Sequence, residues 1–112
     1  MAIGKLNEIE NSAVKEFKEK IMAAFGARIK ELLLFGSKAR GDFNAESDID
    51  IFILVDKSDP NFRKKVASFT TEVLIKYGIL LSPKIIEESH FSFLKKLEFS
   101  FAKNIEKDGI KI

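Results

Sequence analysis

Two aspartates, two positions apart, are the residues of this sequence best suited to chemistry. Asp48 and Asp50 begin the segment "DIDIFILV", in which all the remaining residues are apolar. On a strand, residues two apart point to the same face with their Cα atoms about 7 Å apart, so the two carboxylates would project together. Like charges held this close repel each other unless a cation neutralises them. The pair therefore indicates a site for one or two divalent cations, a known device for in-line phosphoryl transfer.

A candidate anion site precedes the aspartates. Gly36 would let the backbone leave a strand sharply and approach a ligand closely. Ser37 adds a hydroxyl and an N–H at what looks like a helix N-terminus, "SKAR", where phosphate oxygens bind well. Lys38 and Arg40 are near enough in sequence to assist. The alternatives are a helix-capping role for Ser37 and a surface ion pair for Arg40.

A helix and two strands would position these residues. Apolar residues at steps of four predict an amphipathic helix over about residues 6–25. The run "IKELLLFG" predicts a strand that stops at Gly36, and the β-branched segment 49–55 predicts a second strand. If the second strand lies beside the first, the phosphate cradle and the carboxylates are neighbours.

The rest of the sequence predicts two further helical segments and a third strand. Asp59 and Pro60 open a second helix, which Gly78 closes. "ILLSPKII" predicts a third strand, in which Pro83 indicates a sheet edge or a bulge. Residues 87–107 are expected to be helical. The order α-β-β-α-β-α predicts an α+β fold with two layers, a small mixed β-sheet with flanking helices.

Composition narrows the class of protein further. A chain of 112 residues suits one domain, residues 1–112, and a net charge of +2 with interspersed charges gives no strong nucleic-acid signal. No apolar run reaches the ~20 residues of a membrane span, and no signal-peptide pattern is present, so we expect a cytoplasmic protein. Without cysteine, only oxygen ligands and the single His90 remain for a metal, an inventory that fits Mg²⁺.

The motif as a whole resembles that of a known superfamily. Gly36-Ser37, ten intervening residues and then Asp48-Ile49-Asp50 resemble the G-S-x10-D-x-D signature of the DNA polymerase β-like nucleotidyltransferases. The fuller string "GSKARGDFNAESDIDIFILV" is similar to the minimal nucleotidyltransferases, which are often paired with HEPN-domain toxins. The resemblance implies that Asp48 and Asp50 are catalytic and bind Mg²⁺, while Gly36 and Ser37 hold the triphosphate of ATP or another nucleoside triphosphate.

The same resemblance implies a reaction and a partner. A nucleoside monophosphate, AMP if the donor is ATP, would pass to an acceptor hydroxyl with release of pyrophosphate. The acceptor would arrive on a separate chain, a HEPN-type helical toxin or another acceptor protein. The alternative is a catalytically impaired nucleotidyltransferase-like antitoxin subunit, which acts by binding its partner.

One departure from the superfamily pattern favours the second reading. The superfamily usually supplies a third carboxylate from a later strand, and we expect Ser82 near that position. No acid follows until Glu87. Glu87 or Glu88 could substitute if the chain bent back, although both also suit the cap of the helix that follows.

The C-terminal segment is rich in phenylalanine. Between Phe91 and Phe101 its apolar residues are distributed over more than one helical face. That is more apolar surface than one buried stripe requires, so part of the segment is expected to form core and part to contact a partner or a second copy in a homodimer.

Overall fold

The computed structural model describes residues 6–36 and 48–112 of the chain, which form helices and strands. In chain order they are α1 (Glu8–Phe25), a short 3₁₀ helix (Gly26–Arg28), β1 (Ile29–Phe35), β2 (Ile49–Val55), α2 (Pro60–Tyr77), β3 (Leu81–Glu87), α3 (Glu88–Lys96), α4 (Ser100–Asp108) and β4 (Ile110–Lys111). None of the helices in these two ranges is long and apolar enough to cross a membrane.

The strands form one mixed sheet in the order β3-β2-β1-β4. β1 pairs antiparallel with both β2 and β4, whereas β2 pairs parallel with β3. The predicted α+β class with a small mixed sheet is confirmed. β3 lies at an edge, as Pro83 predicts, because proline has no N–H to donate to a second neighbour.

Helices cover both faces of this sheet. Along β2, Ile49, Ile51 and Ile53 point into a core formed with α1 and α2. Phe52 and Leu54 point the other way, into a second core formed with α3 and α4. The two layers predicted from the sequence correspond to the sheet with α1 and α2, and the Phe-rich C-terminal segment adds a layer on the opposite face.

The C-terminal segment departs from the prediction of a helix over residues 87–107. The helix is interrupted between α3 and α4, where Glu98 adopts a left-handed φ of 58°. After α4, residues Ile110 and Lys111 form a fourth strand that pairs with Leu34 and Leu33. A strand of two residues carries no periodicity, so its existence depends on the pairing with β1 rather than on a pattern of its own.

α1 and α2 are joined at the surface through Glu16. Lys76 Nζ donates a hydrogen bond to Glu16 Oε1 at 2.6 Å, and the Tyr77 hydroxyl donates to the same oxygen at 3.0 Å. The hydrogen bond from Lys76 lowers the pKa of Glu16, and the bond to Glu16 in turn raises the pKa of Lys76. Because the Glu16 pKa is lower in the folded chain, its stabilising effect is present at neutral pH and is lost as the pH falls through the titration of the carboxyl.

We therefore expect Glu16→Gln to lower the melting temperature slightly at neutral pH and by less at about pH 3, because the stabilising effect of the lowered Glu16 pKa is lost as the carboxyl group becomes protonated. Thermal unfolding followed by circular dichroism at the two pH values measures this. Glu19→Gln, at an exposed position on the same helix, is the control. An equal drop at both pH values would show that the charge of Glu16 plays no part.

Candidate active site

The end of β1 and the start of β2 bring Gly36 and Asp50 together. Phe35 is the register partner of Asp50, and Gly36 follows Phe35 with a φ of 76°. A Cβ atom added to Gly36 would lie 2.5 Å from Oδ2 of Asp50, closer than real Cβ atoms come to any atom. Glycine is required here for two reasons, since it alone takes this φ without strain and leaves room for the carboxylate.

The alternation of β2 explains why a buried strand begins Asp-Ile-Asp-Ile. Ile49 and Ile51 are buried in the core on the α1 and α2 side of the sheet. Asp50 therefore points to the opposite face and is half-buried there. Asp48 lies one residue before the strand and is exposed. The isoleucines anchor the segment, and the strand period leaves the Asp50 carboxylate at the surface beside the turn at Gly36.

β3 places a serine beside Asp50. Ser82 is the register partner of Asp50 in the parallel pair, as expected for the position of the third carboxylate. Glu87 lies at the far end of the same strand, about 16 Å further along at the usual strand rise. Its carboxylate accepts a hydrogen bond from the Ser58 N–H at 2.7 Å. The chain does not bend back to bring Glu87 to Asp50, because Glu87 pairs in register with Val55 at the other end of β2 and is the N-cap residue of α3.

The carboxylates of the candidate site suit a hard cation that the protein coordinates only in part. Within residues 6–36 and 48–112, no group of three or more His, Cys, Asp or Glu side chains could hold a metal ion. Mg²⁺ commonly binds through one or two carboxylates and completes its shell with substrate phosphates and water. Asp48 and Asp50 fit that mode of binding. His90, the other candidate ligand named from the sequence, is an exposed residue of α3.

Three predicted site residues fall outside the part of the chain that is described. Ser37, Lys38 and Arg40 belong to residues 37–47, so their contribution to a phosphate site stays a prediction.

A cleft of about 140 Å³ adjoins Gly36 on the side of α4. It is lined by Phe35, Gly36, Phe101, Asn104, Ile105 and Asp108. The last residues of α4 had no role in the sequence motif, which ends with β2. Their presence beside Gly36 depends on α4 folding back over the sheet, although their helical spacing was visible in the sequence.

Comparison with known proteins agrees with this fold. Residues 14–112 match the model of the nucleotidyltransferase domain family. A protein of Methanocaldococcus jannaschii named "putative protein adenylyltransferase" is 41% identical over 100 residues, which cover 89% of this chain and 94% of the relative. A second protein of that name from the same organism is 35% identical over 101 residues, which cover 88% and 94%.

Two solved structures share the fold. One, described as a "putative nucleotidyltransferase" from Sulfolobus solfataricus, superposes with a TM-score of 0.54 at 21% identity and covers 98% of this chain and 90% of its own. The other belongs to a mutant of the toxin-antitoxin pair MntA-HpeT, with a TM-score of 0.51 at 16% identity and coverage of 96% and 72%. At these identities the likeness concerns the fold alone.

The chain belongs to the nucleotidyltransferase domain family, and its predicted membership of the nucleotidyltransferase superfamily is confirmed. It is a nucleotidyltransferase, an enzyme of a family that generally uses a nucleoside triphosphate and a divalent metal ion.

Proposed function

We propose that this protein is a Mg²⁺-dependent nucleotidyltransferase that transfers AMP from ATP to a hydroxyl group of a partner protein. The observation that carries the proposal is the approach of the Asp50 carboxylate to the turn at Gly36, with Asp48 two positions earlier. The two relatives named for protein adenylyl transfer, at 41% and 35% identity, support ATP as the donor and a protein as the acceptor.

In this proposal the residues of the motif have separate roles. Asp48 and Asp50 would hold Mg²⁺, which when bound neutralises the charge of the triphosphate. The backbone at Gly36, with Ser37 and Arg40, would hold the phosphate oxygens. The acceptor oxygen attacks the α-phosphorus, the bond from that phosphorus to the bridging oxygen breaks, and pyrophosphate leaves while the hydroxyl proton passes to solvent or a base.

The C-terminal segment supplies a surface for the partner. Phe91 and Ile105 are buried in the second core, whereas Phe93, Leu97 and Phe99 are each about half exposed. Exposed apolar residues that form one patch commonly mark a protein contact. We propose that they bind the acceptor, a HEPN-type helical toxin in the cytoplasm, and that a homodimer would use the same surface. The fold likeness to a toxin-antitoxin structure is the support for this partner.

A labelling experiment tests the reaction. The chain is incubated with Mg²⁺ and ATP labelled at either the α- or the γ-phosphate, together with the protein encoded by the neighbouring gene. We expect the α-label to appear on the partner and the γ-label in pyrophosphate. Transfer of the γ-label would indicate a kinase, and no transfer of either label would favour the non-catalytic antitoxin.

One observation favours the non-catalytic antitoxin, the second candidate function. Ser82 lies beside Asp50, where the superfamily usually has an acid. We expect Ser82→Asp to raise the transfer rate by about tenfold or more, because a positioned base commonly contributes about 10²–10⁴-fold. The added charge next to Asp50 should also lower the melting temperature without Mg²⁺ and restore it with Mg²⁺.

Ser82→Asn is the matched control for this variant, because it has nearly the shape of aspartate without the charge. Label transfer and melting temperature are measured for both. If the Asp variant is no faster than the Asn variant, the missing third acid is not what limits the reaction.

A further inference from the structure

Two polar residues of α4 lie beside its apolar face, where Asn104 is exposed and Asp108 is half-buried. Positions 101, 104, 105 and 108 recur at intervals of three and four, which is the spacing of a single helical face. Phe101 and Ile105 pack against the second core. Asn104 and Asp108, from the same face, line the cleft beside Gly36 instead. Both polar side chains therefore border an open cleft rather than the packed core.

Gly36 adjoins both the cleft and the Asp50 carboxylate. Gly36 lines the cleft, and a Cβ atom at Gly36 would lie 2.5 Å from Oδ2 of Asp50. A molecule in the cleft would therefore contact the same residue that adjoins the Asp50 carboxylate. Pockets for whole drug-sized ligands enclose about 300–1,000 Å³. At about 140 Å³, the cleft has the size of a subsite for one part of a larger ligand.

The side chains that line the cleft suit a nucleoside. The Phe101 ring, 6.1 Å from the Phe35 ring in an edge-on arrangement, gives apolar aromatic surface against which a base can pack. The amide of Asn104 can both donate to and accept from the edge of adenine. The carboxylate of Asp108 can accept hydrogen bonds from ribose hydroxyls.

We propose that this cleft binds the nucleoside of the donor nucleotide, with Asn104 reading the base and Asp108 the ribose. The inference rests on the proposed function, since it requires the triphosphate to lie at Asp50. It adds the two residues of α4 that would determine which nucleotide is used.

The position of Asp108 in the helix supports a role in binding. Asp108 is the last residue of α4, and the negative end of the helix dipole disfavours an acid there. An acidic side chain at this end lowers the stability of the helix, so a stabilising role does not explain it. We expect Asp108→Asn to melt at the same or a higher temperature than the wild type while it binds nucleotide more weakly. A structural role would lower the melting temperature.

Calorimetric titration in the presence of Mg²⁺ separates binding of the nucleoside from binding of the phosphates. The ligands are ATP, GTP, 2′-deoxyATP and inorganic tripolyphosphate. We expect Asn104→Ala to weaken the binding of ATP by about tenfold and to reduce the preference for ATP over GTP. The affinity for tripolyphosphate should stay unchanged. Asp108→Asn should reduce the preference for ATP over 2′-deoxyATP. Lys103→Ala, at an exposed position on α4, is the matched control and should bind all four ligands as the wild type does.

Two results would overturn the assignment of the cleft: ATP binding no more tightly than tripolyphosphate to the wild type, or Asn104→Ala weakening both ligands equally. Failure of the proposed function has a different signature. It would be shown by a double variant Asp48→Asn/Asp50→Asn that still binds ATP and tripolyphosphate as the wild type does.

Discussion

Asp50→Asn is expected to abolish nucleotidyl transfer, with a loss of about 10³-fold or more. Asparagine keeps the shape of the side chain beside Gly36 and removes only its charge, which the proposed Mg²⁺ site needs. For comparison, removing one neutral donor from an oxyanion site costs about 10²–10³-fold in rate. The rate of α-label transfer to the partner measures the loss.

A second measurement separates metal binding from folding. A ligand that binds only the folded state raises its stability, so Mg²⁺ and ATP should raise the melting temperature of the wild type and not that of Asp50→Asn. Asp56→Asn removes a carboxylate just beyond the other end of β2, where Asp56 pairs with Arg28 at 3.6 Å, and should keep the response. Normal transfer by Asp50→Asn would remove Asp50 from the site.

Much of this site could be predicted because its determinants are local. The strand period alone sends Ile49 and Asp50 to opposite faces, and the observed bounds of β2 agree with the predicted segment 49–55. The start and end of α2 follow from short-range signals as well. Asp59 accepts a hydrogen bond from the Phe62 N–H at 2.8 Å, and Gly78 ends the helix in a left-handed conformation.

The break between α3 and α4 could not be predicted, because tertiary packing imposes it. The Phe52 ring contacts the rings of both Phe91, at 5.0 Å, and Phe101, at 6.2 Å. On one continuous helix these two residues would lie about 15 Å apart along the axis, too far to contact one ring from the same side. The chain must therefore turn back between them, at Glu98, although no glycine or proline marks the turn.

The same packing decides what surrounds the motif. Because α4 folds back, its Asn104 and Asp108 reach the cleft at Gly36 from a distant part of the sequence. The short β4 that follows pairs with β1 through Leu33 and Leu34, which holds the C-terminal end of α4 beside that strand. The residues that would bind phosphate and metal form one local motif, whereas those that would recognise the nucleoside come together only in the folded chain.

Gly36→Ala should impair both folding and transfer, and the two effects can be measured separately. At a φ of 76° an alanine costs about 1–2 kcal/mol in stability. Its Cβ would also force the Asp50 carboxylate to move, and a displacement of about 1 Å in an active site can cost about 10²-fold in rate. Gly78→Ala is a matched control, because Gly78 has a φ of 71° and no atom within 4 Å of an added Cβ. We expect the two variants to lose similar stability in urea denaturation and only Gly36→Ala to lose transfer at a temperature where both are folded. Equal rates for the two variants would mean that the contact between residue 36 and Asp50 has no part in catalysis.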